Sequence, residues 1–140
     1  MGPVWDFNLG FGNANYCGGG QTDVWSFEFN QRCAGDFWNV PFWWEKLMSD
    51  PYFRTQLKNR WESLRSGALS TGQLMGTIDS YYDTLNNLEN AERNFQRWPI
   101  LGEWVWPNQF VGSTYEEEVN YLKDWLNQRL TWMDAQISQF

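Results

Sequence analysis

An aspartate and an asparagine near the start of the sequence carry side chains suited to holding a metal ion. Asp6 and Asn8 stand two positions apart in a short apolar run, residues 4–7, that favours a half-buried strand. Side chains two apart leave a strand on the same face, so that face carries a carboxylate and an amide. Oxygen ligands of this kind suit Mg²⁺ or Ca²⁺. Spacing alone gives more weight to another interpretation, in which both side chains close a turn.

Tryptophan forms a second set of residues with binding potential. The sequence contains 11 Trp in 140 residues, and rings of this size dominate burial wherever they pack. Four tryptophans with Asn or Gln nearby in the sequence are candidates for a surface that stacks on carbohydrate rings. These are Trp25, Trp38, Trp104 and Trp106. Ordinary packing accounts for the same rings, and for residues 100–112 we favour core cover.

The composition excludes several classes of function. The net charge is −7, and the 10 Lys and Arg residues form no basic cluster, so nucleic acid is not an expected partner. The absence of histidine excludes a Ser-His-Asp triad, a His-paired cysteine nucleophile and an ordinary catalytic zinc site. No run reaches the roughly eighteen apolar residues of a membrane span, and we find no export signal in this chain.

The two cysteines flank a glycine-rich loop. With no histidine nearby, Cys17 and Cys33 are too few for a structural zinc site, and we expect a disulfide between them. Closing such a loop contributes about 3 kcal/mol in the chain-entropy model. The alternative is two free thiols. A disulfide would indicate an oxidising compartment.

The N-terminal part predicts little regular structure. Aromatic and polar residues alternate over residues 24–29, which predicts a short strand that would pair with residues 4–7 in an N-terminal β-hairpin. Pro41 then predicts a helix start, Asp50 ends that helix and caps the next, and the next helix extends from Pro51 to about Ser66.

The C-terminal part predicts two longer helices. Capping boxes at Ser70 and Thr114 begin them; the first continues to Trp98, and the second carries its acidic residues, Glu116 to Glu118, in the first turn. An apolar stripe follows the whole last helix, which should be the longest and the spine of a bundle. We expect Trp125 and Trp132 to be exposed, which makes them candidates for a partner surface, although packed aromatics are more common at helical spacing.

Together these signals predict one domain of the mainly α class. We expect a bundle of about four helices, with a short N-terminal β-hairpin and long aromatic loops. Residues 1–39 would hold the metal strand and the disulfide loop, and residues 40–140 the helical bundle.

Several segments resemble the spore coat protein H (CotH) kinase family. Trp5-Asp6-Phe7-Asn8, followed by Phe11-Gly12-Asn13-Ala14-Asn15-Tyr16, is similar to the segment that carries the family's metal-binding aspartate. Further matches follow in the family's order: Pro41-Phe42-Trp43-Trp44, Leu47-Met48-Ser49-Asp50-Pro51, Phe53-Arg54 and Arg60-Trp61. The most specific is Ala91-Glu92-Arg93-Asn94-Phe95-Gln96-Arg97-Trp98-Pro99-Ile100-Leu101-Gly102.

The resemblance implies a role in phosphoryl transfer. Asp6 would be the metal ligand, the counterpart of the DFG aspartate of protein kinases, and Asn8 the next candidate. A complete member resembles a secreted, extracellular or cell-surface kinase that uses ATP to phosphorylate Ser or Thr in proteins. Its nucleotide-binding lysine and catalytic aspartate lie in an N-terminal lobe. We therefore expect this chain to be the C-terminal lobe part of an atypical kinase-like fold, without a catalytic residue of its own and inactive alone.

A non-catalytic function is the alternative. The helices and aromatic loops would then form a structural or interaction module. Its partner would be the N-terminal kinase lobe, another protein, a carbohydrate surface or a second copy of the chain, bound through exposed aromatic side chains.

Overall fold

A computed structural model describes residues 9–35 and 40–140. A 3₁₀ turn at Ser26–Glu28 leads into a one-turn helix, α1 (Phe29–Arg32). Five longer helices follow: α2 (Phe42–Ser49), α3 (Pro51–Arg65), α4 (Thr71–Asn87), α5 (Asn90–Arg97) and α6 (Tyr115–Ile137). The described part of the chain is thus mainly helical, as predicted, but it contains six α-helices rather than about four.

The predicted starts of α3, α4 and α6 are confirmed by their caps. The Asp50 carboxylate accepts a hydrogen bond from the Tyr52 amide at 2.8 Å. The hydroxyls of Ser70 and Thr114 each accept one from the amide three residues further on, at 3.4 and 3.1 Å. These bonds satisfy amides that the first turn of a helix leaves without a partner.

The acidic residues at the start of α6 bind the chain that leads into the helix. The Glu117 carboxylate accepts from the Ser113 amide at 2.7 Å, and the Glu118 carboxylate accepts from the Gly112 amide at 2.6 Å. Negative charge in the first turn also opposes the positive end of the helix dipole. The acidic run therefore marks a helix start, as the capping pattern predicted.

Helix α6 is the longest helix and the spine of the fold. Leu126, Leu130 and Ile137 are buried along its apolar stripe, and Ile137 is only 1% exposed. Asp134 of α6 joins this helix to α3. Its carboxylate accepts a hydrogen bond from the Trp61 indole at 2.7 Å and pairs with the Arg65 guanidinium at 3.0 Å. The α4 side is joined by the Lys123–Asp79 ion pair.

The predicted strand at residues 24–29 is wrong. The chain forms a 3₁₀ turn there, because its amides find acceptors locally: the Glu28 amide donates to the Trp25 carbonyl at 3.2 Å. The alternating aromatics pack with each other instead, with the rings of Trp25 and Phe27 6.0 Å apart. The strand predicted as its partner, residues 4–7, lies outside the described residues.

The single helix predicted from Ser70 to Trp98 is also wrong. It is interrupted at Glu89, whose φ of 54° is left-handed. The reason is tertiary: the rings of Tyr82 on α4 and Phe95 on α5 both pack on Tyr115, at 5.4 and 5.9 Å. In one straight helix these two side chains would be about 20 Å apart along the axis, too far to share a ring.

Within residues 9–35 and 40–140, no helix has both the length and the apolar character required to cross a bilayer.

Candidate functional site

The segment that follows Asp6 and Asn8 is a tight turn. We call residues 9–24 the N-terminal loop. The amide of Asn13 donates to the Gly10 carbonyl at 3.2 Å, and φ is positive at Phe11 (53°) and Gly12 (82°). Asp6 and Asn8 themselves lie outside the described residues, so this turn is the nearest described structure to the predicted metal ligands.

Gly12 fastens this turn to helix α6. It is buried, and its carbonyl accepts a hydrogen bond from the Tyr121 hydroxyl at 3.0 Å. A Cβ at this position would overlap the indole ring of Trp125. Burial raises the pKa of Tyr121 above its ordinary value, and the charge of Glu118 raises it further, so the hydroxyl keeps the proton that it donates.

Two further α6 side chains hold the rest of the N-terminal loop. The Trp125 indole donates to the Gly20 carbonyl at 2.8 Å. The Arg129 guanidinium donates to the carbonyls of Thr22 and Val24 at 2.8 and 2.6 Å. Because these bonds are made to backbone carbonyls, they fix the path of a segment that has little regular secondary structure of its own.

Trp132 completes a second stripe along α6. Its ring lies 4.7 Å from that of Trp25, and the Arg129 guanidinium lies 4.8 Å from its centroid. Trp125 and Trp132 are therefore packed against the N-terminal part, which was the alternative to a partner surface. Sequence reasoning missed this stripe as a set, although Tyr121, Trp125, Arg129 and Trp132 recur at helical spacing beside the apolar stripe.

A disulfide and two contacts with residues 107–108 restrain the N-terminal loop further. Cys17 and Cys33 are bonded to each other with their Cα atoms 5.2 Å apart, which confirms the expected pairing. The bond ties the loop to the end of α1. On the other side, the Asn15 amide donates to the Pro107 carbonyl at 2.9 Å, and the Asn13 side chain donates to that of Asn108 at 3.1 Å.

The comparisons with known proteins decide the family. A family model described as CotH kinase protein matches residues 1–133. The chain belongs to the CotH kinase family. The match begins before Asp6 and ends inside α6, so it spans both the predicted metal segment and the α6 residues that hold the N-terminal loop. No curated protein and no solved structure shows significant similarity to the chain.

In this CotH family member, the tryptophans predicted as one binding surface lie in different settings. Trp25 is half-buried against Trp132 and Phe140. Trp104 and Trp106 are 58% and 69% exposed, so the expectation that residues 100–112 cover the core is wrong for these two rings. Trp38 lies outside the described residues.

A cavity of about 430 Å³ adjoins the anchored turn of this CotH family member. Leu9, Gly12 and Trp125 line one part of it, and Arg32 and Arg129 line another. Within residues 9–35 and 40–140, no three His, Cys, Asp or Glu side chains cluster as a metal site. Asp6 and Asn8 lie outside these residues, and their role as metal ligands remains a prediction from sequence.

Proposed function

We propose that this chain forms the metal-binding side and the helical support of a CotH-type protein kinase. The observation that carries the proposal is the attachment of Gly12 to α6, immediately after the segment that resembles the family's metal-binding motif. In the complete protein the reaction would be transfer of a phosphoryl group from ATP to a protein Ser or Thr. Phosphoryl transfer depends on positioning and on neutralising charge, so a rigid mount for the metal ligand is what this chain contributes.

Asp6 and Asn8 fit a hard divalent cation by their donor chemistry. A carboxylate and an amide oxygen are ligands that Mg²⁺ and Ca²⁺ accept, and a bound Mg²⁺ would neutralise charge on the phosphates of ATP. Since Asn8 is neutral, only Asp6 brings a charge to the pair. We therefore propose millimolar affinity at best in the absence of a nucleotide, whose phosphates usually complete the coordination of Mg²⁺.

We also propose that the protein is extracellular or located at the cell surface. The Cys17–Cys33 disulfide supports it, because disulfides persist in oxidising compartments and are rare in the cytosol of most organisms.

Thermal melts with and without Mg²⁺ test the metal site. At Mg²⁺ about ten times its dissociation constant, we expect the melting temperature of the wild-type chain to rise by about 5 °C, and that of Asp6→Asn to stay unchanged. Asp124→Asn is the matched control, because Asp124 is an exposed carboxylate on α6. A large loss of stability in Asp6→Asn that is the same with and without Mg²⁺ would instead support the turn interpretation and remove Asp6 from the site.

A second candidate function is carbohydrate binding, favoured by one specific observation. The rings of Trp106 and Tyr16 are nearly parallel, with centroids 6.4 Å apart, and both are exposed, at 69% and 39%. Trp104, two residues before Trp106, is also exposed. Its indole N–H donates a hydrogen bond to the Asn108 carbonyl at 3.1 Å, which holds the ring in place. Exposed aromatic faces with amide side chains beside them can stack on sugar rings.

Electrophoresis through gels that contain soluble polysaccharides tests this second function. We expect migration of the wild-type chain to be retarded by at least one polysaccharide, and Trp106→Ala to lose the retardation. Trp43→Ala is the control, because Trp43 is a 49% exposed tryptophan on α2. Equal loss in both variants, or no retardation of the wild type, would contradict a carbohydrate site at Trp106.

A further inference from the structure

Two arginines from distant parts of the sequence line the same cavity. Arg32 ends α1 and Arg129 lies in the middle of α6, and both border the 430 Å³ cavity beside the N-terminal loop. Gly18 and Gly12 form other parts of its wall. Leu9 also borders it, which places the cavity next to the chain that follows Asn8.

Among the residues that the structure describes, no ion pair balances the positive charge of this cavity. Among the described residues, the ion pairs are Arg65–Asp134, Arg93–Glu89 and Lys123–Asp79, and none includes Arg32 or Arg129. Burial lowers the pKa of Arg129 below its ordinary value, and the nearby charge of Arg32 lowers it further, while Asp23 acts in the opposite direction. Two like charges are thus held close together in a protein whose net charge is −7.

The two guanidinium groups are held in place before any ligand arrives. Arg129 donates to the carbonyls of Thr22 and Val24 and lies over the Trp132 ring. The Arg32 Nη1 donates to the Trp25 carbonyl at 2.9 Å. Because these contacts use only part of each guanidinium, the remaining N–H groups stay available in a fixed orientation.

One of those remaining donors is buried without an acceptor. The Arg32 Nε is buried and finds no hydrogen-bond partner among residues 9–35 and 40–140. Leaving a buried N–H unpaired is unfavourable, and an oxygen acceptor in the cavity would relieve that cost.

We propose that the cavity between Arg32 and Arg129 binds a phosphoryl oxyanion. A tetrahedral group with several acceptor oxygens suits two guanidinium forks, and it would cancel the repulsion between the two charges. The volume leaves room for the group to which the phosphate is attached. Either a nucleotide or a phosphorylated Ser or Thr side chain could supply it. This anion site includes no atom of Asp6 or Asn8 and is therefore separate from the metal site.

Calorimetric titration without divalent metal tests the anion site. We expect saturable binding of inorganic phosphate, O-phosphoserine and ADP, weakened at least about tenfold in Arg32→Gln. Arg60→Gln, which removes an exposed charge from α3, should bind like the wild type. Tighter binding of phosphoserine than of ADP would indicate a phosphorylated side chain, and the reverse order a nucleotide. Equal weakening in the two arginine variants, or no saturable binding by the wild type, would overturn the proposal.

A second pair of variants keeps the test valid if Arg32→Gln unfolds. Ser26 is exposed and borders the cavity, so a longer side chain can be placed there without disturbing the core. Ser26→Glu should abolish phosphate binding by placing a competing carboxylate at the arginines, while the neutral Ser26→Gln should retain it. If Ser26→Glu binds phosphate as tightly as Ser26→Gln does, the anion does not lie at this cavity.

Discussion

Replacing Gly12 with alanine is expected to lower the free energy of unfolding by about 3 kcal/mol. Two effects add at this position. The φ of 82° is left-handed, which any residue with a Cβ adopts only at a cost. The new methyl group would also overlap the Trp125 indole, which cannot move away without breaking its hydrogen bond to the Gly20 carbonyl. The alanine side chain would therefore destabilise the fold through both backbone strain and overpacking.

Denaturant unfolding followed by circular dichroism measures this loss. Gly76→Ala is the matched control, because Gly76 lies inside α4 and a Cβ there meets no atom within 4 Å. Alanine should leave that helix unchanged or stabilise it by up to about 1 kcal/mol. Comparable shifts in the two variants would show that Gly12 is not packed against α6 as described.

Removing the Cys17–Cys33 disulfide is the second change with a large expected effect. The double variant Cys17→Ser with Cys33→Ser should lose about 3 kcal/mol, because the unfolded chain regains the freedom of a closed loop. The sequence separation of the two cysteines is 16 residues. Between them lie only a 3₁₀ turn and a one-turn helix, so little regular structure can replace the bond.

Unfolding curves with and without a reductant test the disulfide. Reductant should shift the wild type to the stability of the double variant and leave the double variant unaffected. Alkylation of two thiols in the native protein without reductant would contradict the bond itself.

The helix starts could be predicted because capping is local. At Asp50, Ser70 and Thr114 the side chain and the amide it accepts from are no more than three residues apart, so the signal is present in the sequence itself. The stripe that makes α6 the spine could be predicted for the same reason, since its period follows from helix geometry.

The break at Glu89 could not be predicted in this way. Tyr115 receives rings from both α4 and α5, and that requirement comes from a residue of another helix. The strand prediction at residues 24–29 is wrong for a similar reason. Alternating aromatic and polar residues indicate the two faces of a sheet, but here Trp25 packs on Trp132, a residue of α6.

Only part of the candidate site could be predicted from the sequence. Asp6 and Asn8 were identified by a short motif, and their role remains a prediction. The neighbouring cavity was missed, because Arg32 and Arg129 are far apart in sequence and no local pattern links them. What brings them together is the set of hydrogen bonds from α6 to the N-terminal loop.

The most direct test of the account is to locate a bound divalent cation by nuclear magnetic resonance. Paramagnetic Mn²⁺ can replace Mg²⁺ and broadens the signals of nearby amides. If Asp6 holds the ion, the amides of Leu9 and Gly10 should broaden together with those of residues 6–8, because at most about 14 Å of chain separates Gly10 from Asp6. The broadening should disappear in Asp6→Asn and persist in Asp124→Asn. Broadening that survives in Asp6→Asn, or none at Leu9 and Gly10, would contradict a metal-binding role for this end of the chain.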